Sequence, residues 1–118
     1  MKITLCLIVV LLPLLSNAQA ADNIELKQIC NAYERDHSSR RIDWVMVENR
    51  DSIRQVRVLD ILNSTTSPTS NDYAHAAMVF SHGRDSISEV KVVALMTKSV
   101  ALDSTRDKSL LAVGIDRK

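Results

Sequence analysis

Asp72-Tyr73-Ala74-His75-Ala76-Ala77-Met78-Val79-Phe80-Ser81-His82-Gly83 is the stretch that decides the fold. Tyr73, Ala76, Ala77 and Phe80 recur at steps of three and four, which places them on one side of a helix. Ser70 or Asn71 stands where a cap would start that helix, and Gly83 where one would stop it. Ala74, Ala76 and Ala77 keep one side thin, so that another helix can approach closely.

The same spacing extends in both directions. Towards the C-terminus, Ser86-Ile87-Ser88-Glu89 reads as a capping box. It opens a helix with Val90, Val93, Ala94, Met96, Val100 and Ala101 on its inner face and a stop near Asp103. A last helix from Ser104 or Thr105 would use Leu110, Leu111, Val113 and Ile115. Towards the N-terminus, Ser64-Thr65-Thr66-Ser67-Pro68-Thr69-Ser70 is a loop by composition. Before it, a long helix from near Asp43 to Asn63 shows an apolar stripe of Val45, Asn49, Ile53, Val56 and Leu59, widened by Ile61 and Leu62. The segment from Ile42 to Val47 is rich enough in β-branched residues to begin extended. The first helix starts at Asp22, with Glu25 in capping-box position, and aligns Leu26, Ile29, Cys30 and Tyr33. Arg35-Asp36-His37-Ser38-Ser39-Arg40-Arg41 reads as a frayed end or a loop.

Only two glycines and two prolines interrupt the chain, and no alternating strand pattern bounded by tight turns is present. The expectation is an all-α fold, a small bundle of four to five helices or stacked helical hairpins. Tyr73 to Ala77 with Ala94 and Lys98 to Asp103 looks like one degenerate tetratricopeptide unit. One unit cannot bury its own faces, so a plain hairpin with small residues at the crossing is the simpler reading.

Residues 1–20 read as a cleavable secretory signal peptide, and residues 21–118 as a single helical domain. Lys2 is followed by an uncharged run from Ile3 to Leu15, and Ala18 and Ala20 have the spacing of a signal-peptidase site. At 1.5 Å per residue the run covers about 20 Å of a hydrocarbon layer roughly 30 Å thick, and Pro13 interrupts it. No stable membrane anchor is therefore expected after cleavage, and neither Cys6 nor Cys30 follows the cleavage site as a lipid anchor would need. Localisation is expected to be periplasmic or secreted. Removing the leader takes away Lys2 and Cys6, leaving 14 basic and 14 acidic residues and one cysteine. That balance gives no general attraction to nucleic acid, and a lone Cys30 cannot form an internal disulfide.

Few chemistries find a complete set of residues. No Gly-x-Ser-x-Gly elbow or glycine-rich phosphate loop is present, so no cofactor is expected. His75 and His82 are seven apart, about 10.5 Å along a helix axis, too far to share one metal ion. Charged pairs are more suggestive: Arg35-Asp36 with Arg40, Asp51 with Arg54 one turn on, and Asp116-Arg117. Packed helices could bring some of them together, although solvated i, i+3 pairs are the commoner outcome.

The segment from Asp72 to Gly83 also resembles the centre of a bacterial family of unknown function, number 6624 among the domains of unknown function. There it usually reads Asp-Tyr, a small pair, an apolar stretch, then Gln-His-Gly or Gln-His-Ala. Arg35-Asp36 with Arg40, Trp44, Asp51 with Arg54, and Ala112 with Asp116-Arg117 follow that family's order. Ser81 stands where the family has glutamine, and its segment beyond the Asp-Arg pair, ending near Gly-Thr-Gln, is unmatched. The resemblance implies a helical fold and nominates Asp36, Arg40, Asp51, Arg54, His82, Asp116 and Arg117 as a polar cluster. It implies no activity. The expected function is a protein-interaction module with an unknown protein partner; the alternative is a small hydrolase-like enzyme using His82 with a carboxylate such as Asp51 or Asp116.

Overall fold

Five helices and no strand are found among the described residues, 20–116, of the computed structural model. They are α1 (Ile24–His37), α2 (Trp44–Ser64), α3 (Ser70–Met78), α4 (Ser86–Leu102) and α5 (Ser109–Asp116). The protein is a small all-α bundle. The expected leader, up to residue 19, and Arg117 lie outside the described residues.

Each helix begins where a short polar side chain takes up free backbone N–H groups, though often one residue from the expected cap. Asn23, not Asp22, caps α1, accepting from the N–H of Leu26. Asp43, itself extended, caps α2 and the helix is regular from Trp44, so of the β-branched start Trp44 to Val47 is helical. Thr69, rather than Ser70 or Asn71, caps α3 in a reciprocal capping box with Asp72. Asp85, rather than Ser86, caps α4 through the N–H of Ser88. A turn at Asp103–Thr105, where Asp103 takes the Thr105 N–H and hydroxyl, delays α5 to Ser109. α1 in turn runs through Arg35 and Asp36 to His37, beyond the point where the sequence suggested fraying.

Helices α1 and α3 lie side by side and parallel. The Asn23 N–H donates to Asp72 Oδ1 at 2.8 Å, and Asn71 Nδ2 donates to Asp22 Oδ2 at 2.7 Å, near the two N-termini. The Tyr33 hydroxyl meets His82 Nδ1 at 2.8 Å near the two C-terminal ends. All three pairs are 49 residues apart, so one register holds along the whole contact. α2 returns antiparallel to α1, and α3 and α4 form an antiparallel hairpin closed by Ser70 and Ser99, whose hydroxyls are 3.1 Å apart. α5 packs on α4.

The core is Leu26, Tyr33, Val58, Ile61, Ala76, Ala77, Val79, Phe80, Val92, Leu95 and Met96. Small residues do let α3 and α4 pack closely. Two expected faces are met only in part: Leu59, Ile61 and Leu62 of α2 and Met96 of α4 do face the core. On α2 the inner stripe is Val47, Val58 and Ile61, whereas Val45, Ile53 and Val56 are 80, 64 and 66 % exposed. On α4 the inner stripe is Ser88, Val92, Leu95, Met96 and Ser99; Val90, Ala94 and Ala101 face outward. Val113 and Ile115 of α5 are also exposed, leaving Leu110 and Leu111 as its packing residues. Gly83 sits in the α3–α4 turn so close to Ser88 that a methyl group there would overlap the Ser88 side chain.

Asp72 is 1 % exposed and its two oxygens accept from the N–H groups of Asn23 and Thr69, one at each helix start. Replacing it by alanine strands two part-buried donors. Asp72→Ala is expected to lower stability by about 3 kcal/mol in urea unfolding. Glu25→Gln, which removes only a surface pair with Arg57, should leave the midpoint nearly unchanged.

Candidate functional site

The α1/α3 register carries the last turn of α1 over the turn that follows α3. His37 lies four residues after Tyr33, on the same helix face, and so comes to rest against His82. Their rings stack with centroids 4.4 Å apart and planes 11° from parallel. Tyr33 lies under both, 4.2 Å from the His37 ring and 5.6 Å from that of His82. Its hydroxyl accepts the His82 backbone N–H at 3.0 Å and meets Nδ1 of the same residue at 2.8 Å. Those two contacts fix the ring's orientation, with the donor between the hydroxyl and Nδ1 set by the His82 tautomer. Burial pushes the Tyr33 phenol up, so the hydroxyl stays protonated.

From α2 a charged row enters the same region. Asp51 Oδ2 accepts from His37 Nε2 at 2.7 Å, and its Oδ1 accepts from Arg54 at 2.9 Å. Arg54 also donates to Asp36 Oδ2 at 2.6 Å, and Arg50 approaches the same carboxylate at 3.4 Å. The result is a continuous line: Asp36, Arg54, Asp51, His37, then the stacked His82 and its Tyr33. The side chains of Asp51 and Arg54 are only 13 and 15 % exposed, so their attraction is less screened than that of a surface pair. Arg54 holds the Asp36 carboxyl below the usual carboxylate range. His37 Nδ1 is buried with no hydrogen-bond partner.

Of these groups Tyr33, His37, Asp51 and His82 line an open cleft of about 790 Å³. Trp44, Glu48 and Gln55 continue its wall along α2, and Arg84, Asp85 and Glu89 face them from the start of α4. Trp44 is 53 % exposed, with its ring edge-on to His37 at 5.9 Å.

Of the nominated cluster, the fold joins Asp36, Asp51 and Arg54 directly and brings His82 in through His37 and Tyr33. Arg40 is exposed on the loop before α2 and takes no part. Asp116 is exposed at the end of α5 and joins no ion pair among the described residues. His37 and Tyr33 were not nominated. The signal for them was the stripe Leu26, Cys30, Tyr33, His37, which continues helical spacing into the polar run. Elsewhere, burial pushes the Cys30 thiol up to about 11, leaving it unreactive near neutrality. His75 is half-buried and desolvation holds its imidazole below the usual value. Among the described residues no three His, Cys, Asp or Glu side chains converge to hold a metal ion, and no helix is long and apolar enough to cross a membrane.

The Asp36 contribution has a defined pH window. Its folded pKa lies below the unfolded value of about 3.9, so the stabilisation is complete above that pH and is lost as pH falls through the folded pKa. Asp36→Asn should therefore reduce the urea midpoint at pH 7. The gap from wild type should close progressively below about pH 4. Asp51→Asn, which unseats both Arg54 and His37, should cost about 2 kcal/mol at pH 7 and disturb the His37 ring resonances by NMR.

No family model, curated protein or solved structure matches this chain.

Proposed function

We propose that the chain is an exported protein-interaction module that engages a protein partner through the outer face of α2. The observation that carries this reading is the apolar stripe Val45, Ile53 and Val56, each more than three-fifths exposed. Met46, 45 % exposed, widens it. The stripe covers three turns, about 16 Å of helix, with Asn49 as a single polar group within it. Its spacing is that of a helix that buries one side, and burying three such side chains would contribute several kcal/mol. A partner presenting an apolar helix or groove of that length fits it. Support for export comes from the charge, apolar run and small residues of the N-terminal segment. The near-neutral charge of the remainder suits a protein partner better than a nucleic acid.

An enzymatic reading has one observation in its favour, the Asp51-bound His37 stacked on His82 in a cleft. Against it, the carboxylate orients His37 rather than His82, and the single cysteine of the helical domain is buried. If the cleft did hydrolytic work, ester turnover above the buffer rate would disappear in His82→Asn.

The outer face of α2 does not support the fold, so Val45→Asp with Ile53→Asp should keep the wild-type circular dichroism and thermal midpoint. Tagged wild-type protein incubated with periplasmic extract and culture medium should capture one stoichiometric partner that the double variant fails to hold. Equal capture by both, or a wild type that only self-associates in light scattering, would reject the assignment.

A further inference from the structure

We infer that His75 makes the seam between α1 and α3 an acid-sensitive joint: a proton taken up by its imidazole drives the ring out of the seam and loosens the N-terminal end that the two helices share. The ring's place follows from the register of the pair. His75 stands one turn after Asn71 and Asp72 on α3, and both of those turn towards the start of α1. Asn71 donates there to Asp22, and Asp72 accepts from the Asn23 N–H. His75 continues the same side of α3, and its Nδ1 is buried without a hydrogen-bond partner. Such a ring tolerates one proton and not two. The neutral imidazole can carry its single N–H on Nε2, whereas the imidazolium must carry a second on Nδ1, where no acceptor stands. A buried donor left unpaired costs its full desolvation, and a buried charge costs more.

The charged groups around the ring pull in both directions. Asp22, ahead of α1, and Asp72, on α3, favour the imidazolium; Arg106, in the turn before α5, and Lys27, on α1, oppose it. Both carboxylates are already engaged, Asp22 by Thr69 and Asn71, and Asp72 by the N–H groups of Asn23 and Thr69. Arg106 is held on Ser70 and Asn71. Burial outweighs the two carboxylates, so the folded imidazole lies below the unfolded value of about 6.5. As pH falls, the unfolded chain therefore takes its proton first. The contribution of His75 to stability is complete above about pH 6.5 and is lost as pH drops towards the folded value. The other two imidazoles, His37 and His82, are stacked at the far end of the α1–α3 contact. At the near end His75 is the one side chain of the type that ordinarily changes charge between pH 5 and 8. The bonds from Asn71 to Asp22 and from Asn23 to Asp72 cross the seam one turn from the ring, and they are what its departure disturbs.

An NMR titration from pH 8 to 5 tests the joint in the native protein. The His75 ring is expected to titrate below about 6.5. The Asn23 backbone amide and the Asn71 side-chain amide should shift with that same midpoint. Urea unfolding gives a second readout. Between pH 7.5 and 5 the wild-type midpoint should fall more steeply than that of His75→Gln or His75→Phe, neither of which takes up a proton in that range. The remaining histidines and carboxylates are common to all three proteins and cancel in the comparison. A His75 ring that titrates at or above about 6.5, seam amides silent throughout its titration, or parallel midpoints in wild type and a folded variant would overturn the proposal. If neither variant folds at pH 7.5, the ring and amide titrations of the wild type decide alone.

Discussion

Everything in this fold follows from holding two parallel helices in one register at both ends. Parallel neighbours cannot be joined by a short turn, so a full-length return segment has to run between α1 and α3, and α2 is that segment. The clamp at the N-terminal end is electrostatic as well as geometric. Two helix starts present free N–H groups and the positive ends of their dipoles to each other, an arrangement that would repel without anions between them. Asp72 and Asp22 supply those anions, Asp72 taking a backbone N–H from each helix and Asp22 holding Thr69 and Asn71. At the other end Tyr33 does the reverse, carrying a hydroxyl from α1 into the turn that ends α3.

That far clamp is what makes a site. Once Tyr33 is fixed on His82, the next turn of α1 must place His37 over the same ring, and α2, returning antiparallel, must pass its own Asp51 and Arg54 beside it. The charged row then explains itself in order. Asp36 and Asp51 lie on either side of Arg54, so neither carboxylate is left without a cation in a partly buried position. Asp51 keeps one oxygen for His37, which holds that imidazole in a single orientation against the His82 ring.

Helix number, order and approximate limits were legible in the sequence, because caps and three-four spacing are local properties. The faces of α2 and α4 were legible only in part. The inward side of α2 reads Val47, Asp51, Arg54, Val58, Ile61, an apolar stripe broken at its centre by the very charges that build the site. Val45, Ile53 and Val56 make the cleaner pattern and point outward. On α4 the buried stripe begins and ends in serine, Ser88 beneath Asp85 and Ser99 against Ser70, and serine contributes nothing to an apolar count. His37 was hidden for a related reason: it sits in a run of charge that composition assigns to a loop, while its spacing from Tyr33 assigns it to the helix. In each case hydrogen bonds to a distant partner outweighed local apolarity, and only the fold supplies the partner.

The same residues argue about purpose. A domain of about a hundred residues has little apolar surface to bury, and every inward position given to a charge reduces it. Val47, Val58 and Ile61 show that aliphatic side chains fit the inner side of α2, and packed aliphatics in place of an ion pair are often neutral or stabilising. A cluster of Asp36, Arg54, Asp51 and His37 is thus poorly explained by stability alone. Nor does it serve solubility, since Asp51, Arg54 and His37 are mostly removed from water. What the cluster does achieve is rigidity at one wall of a cleft, with one imidazole fixed, a second stacked on it and an indole beside them. Preorganisation of that kind lowers the cost of receiving a ligand. Polar residues placed where an aliphatic core would fit thus make that wall a candidate site, apart from the packing of the bundle.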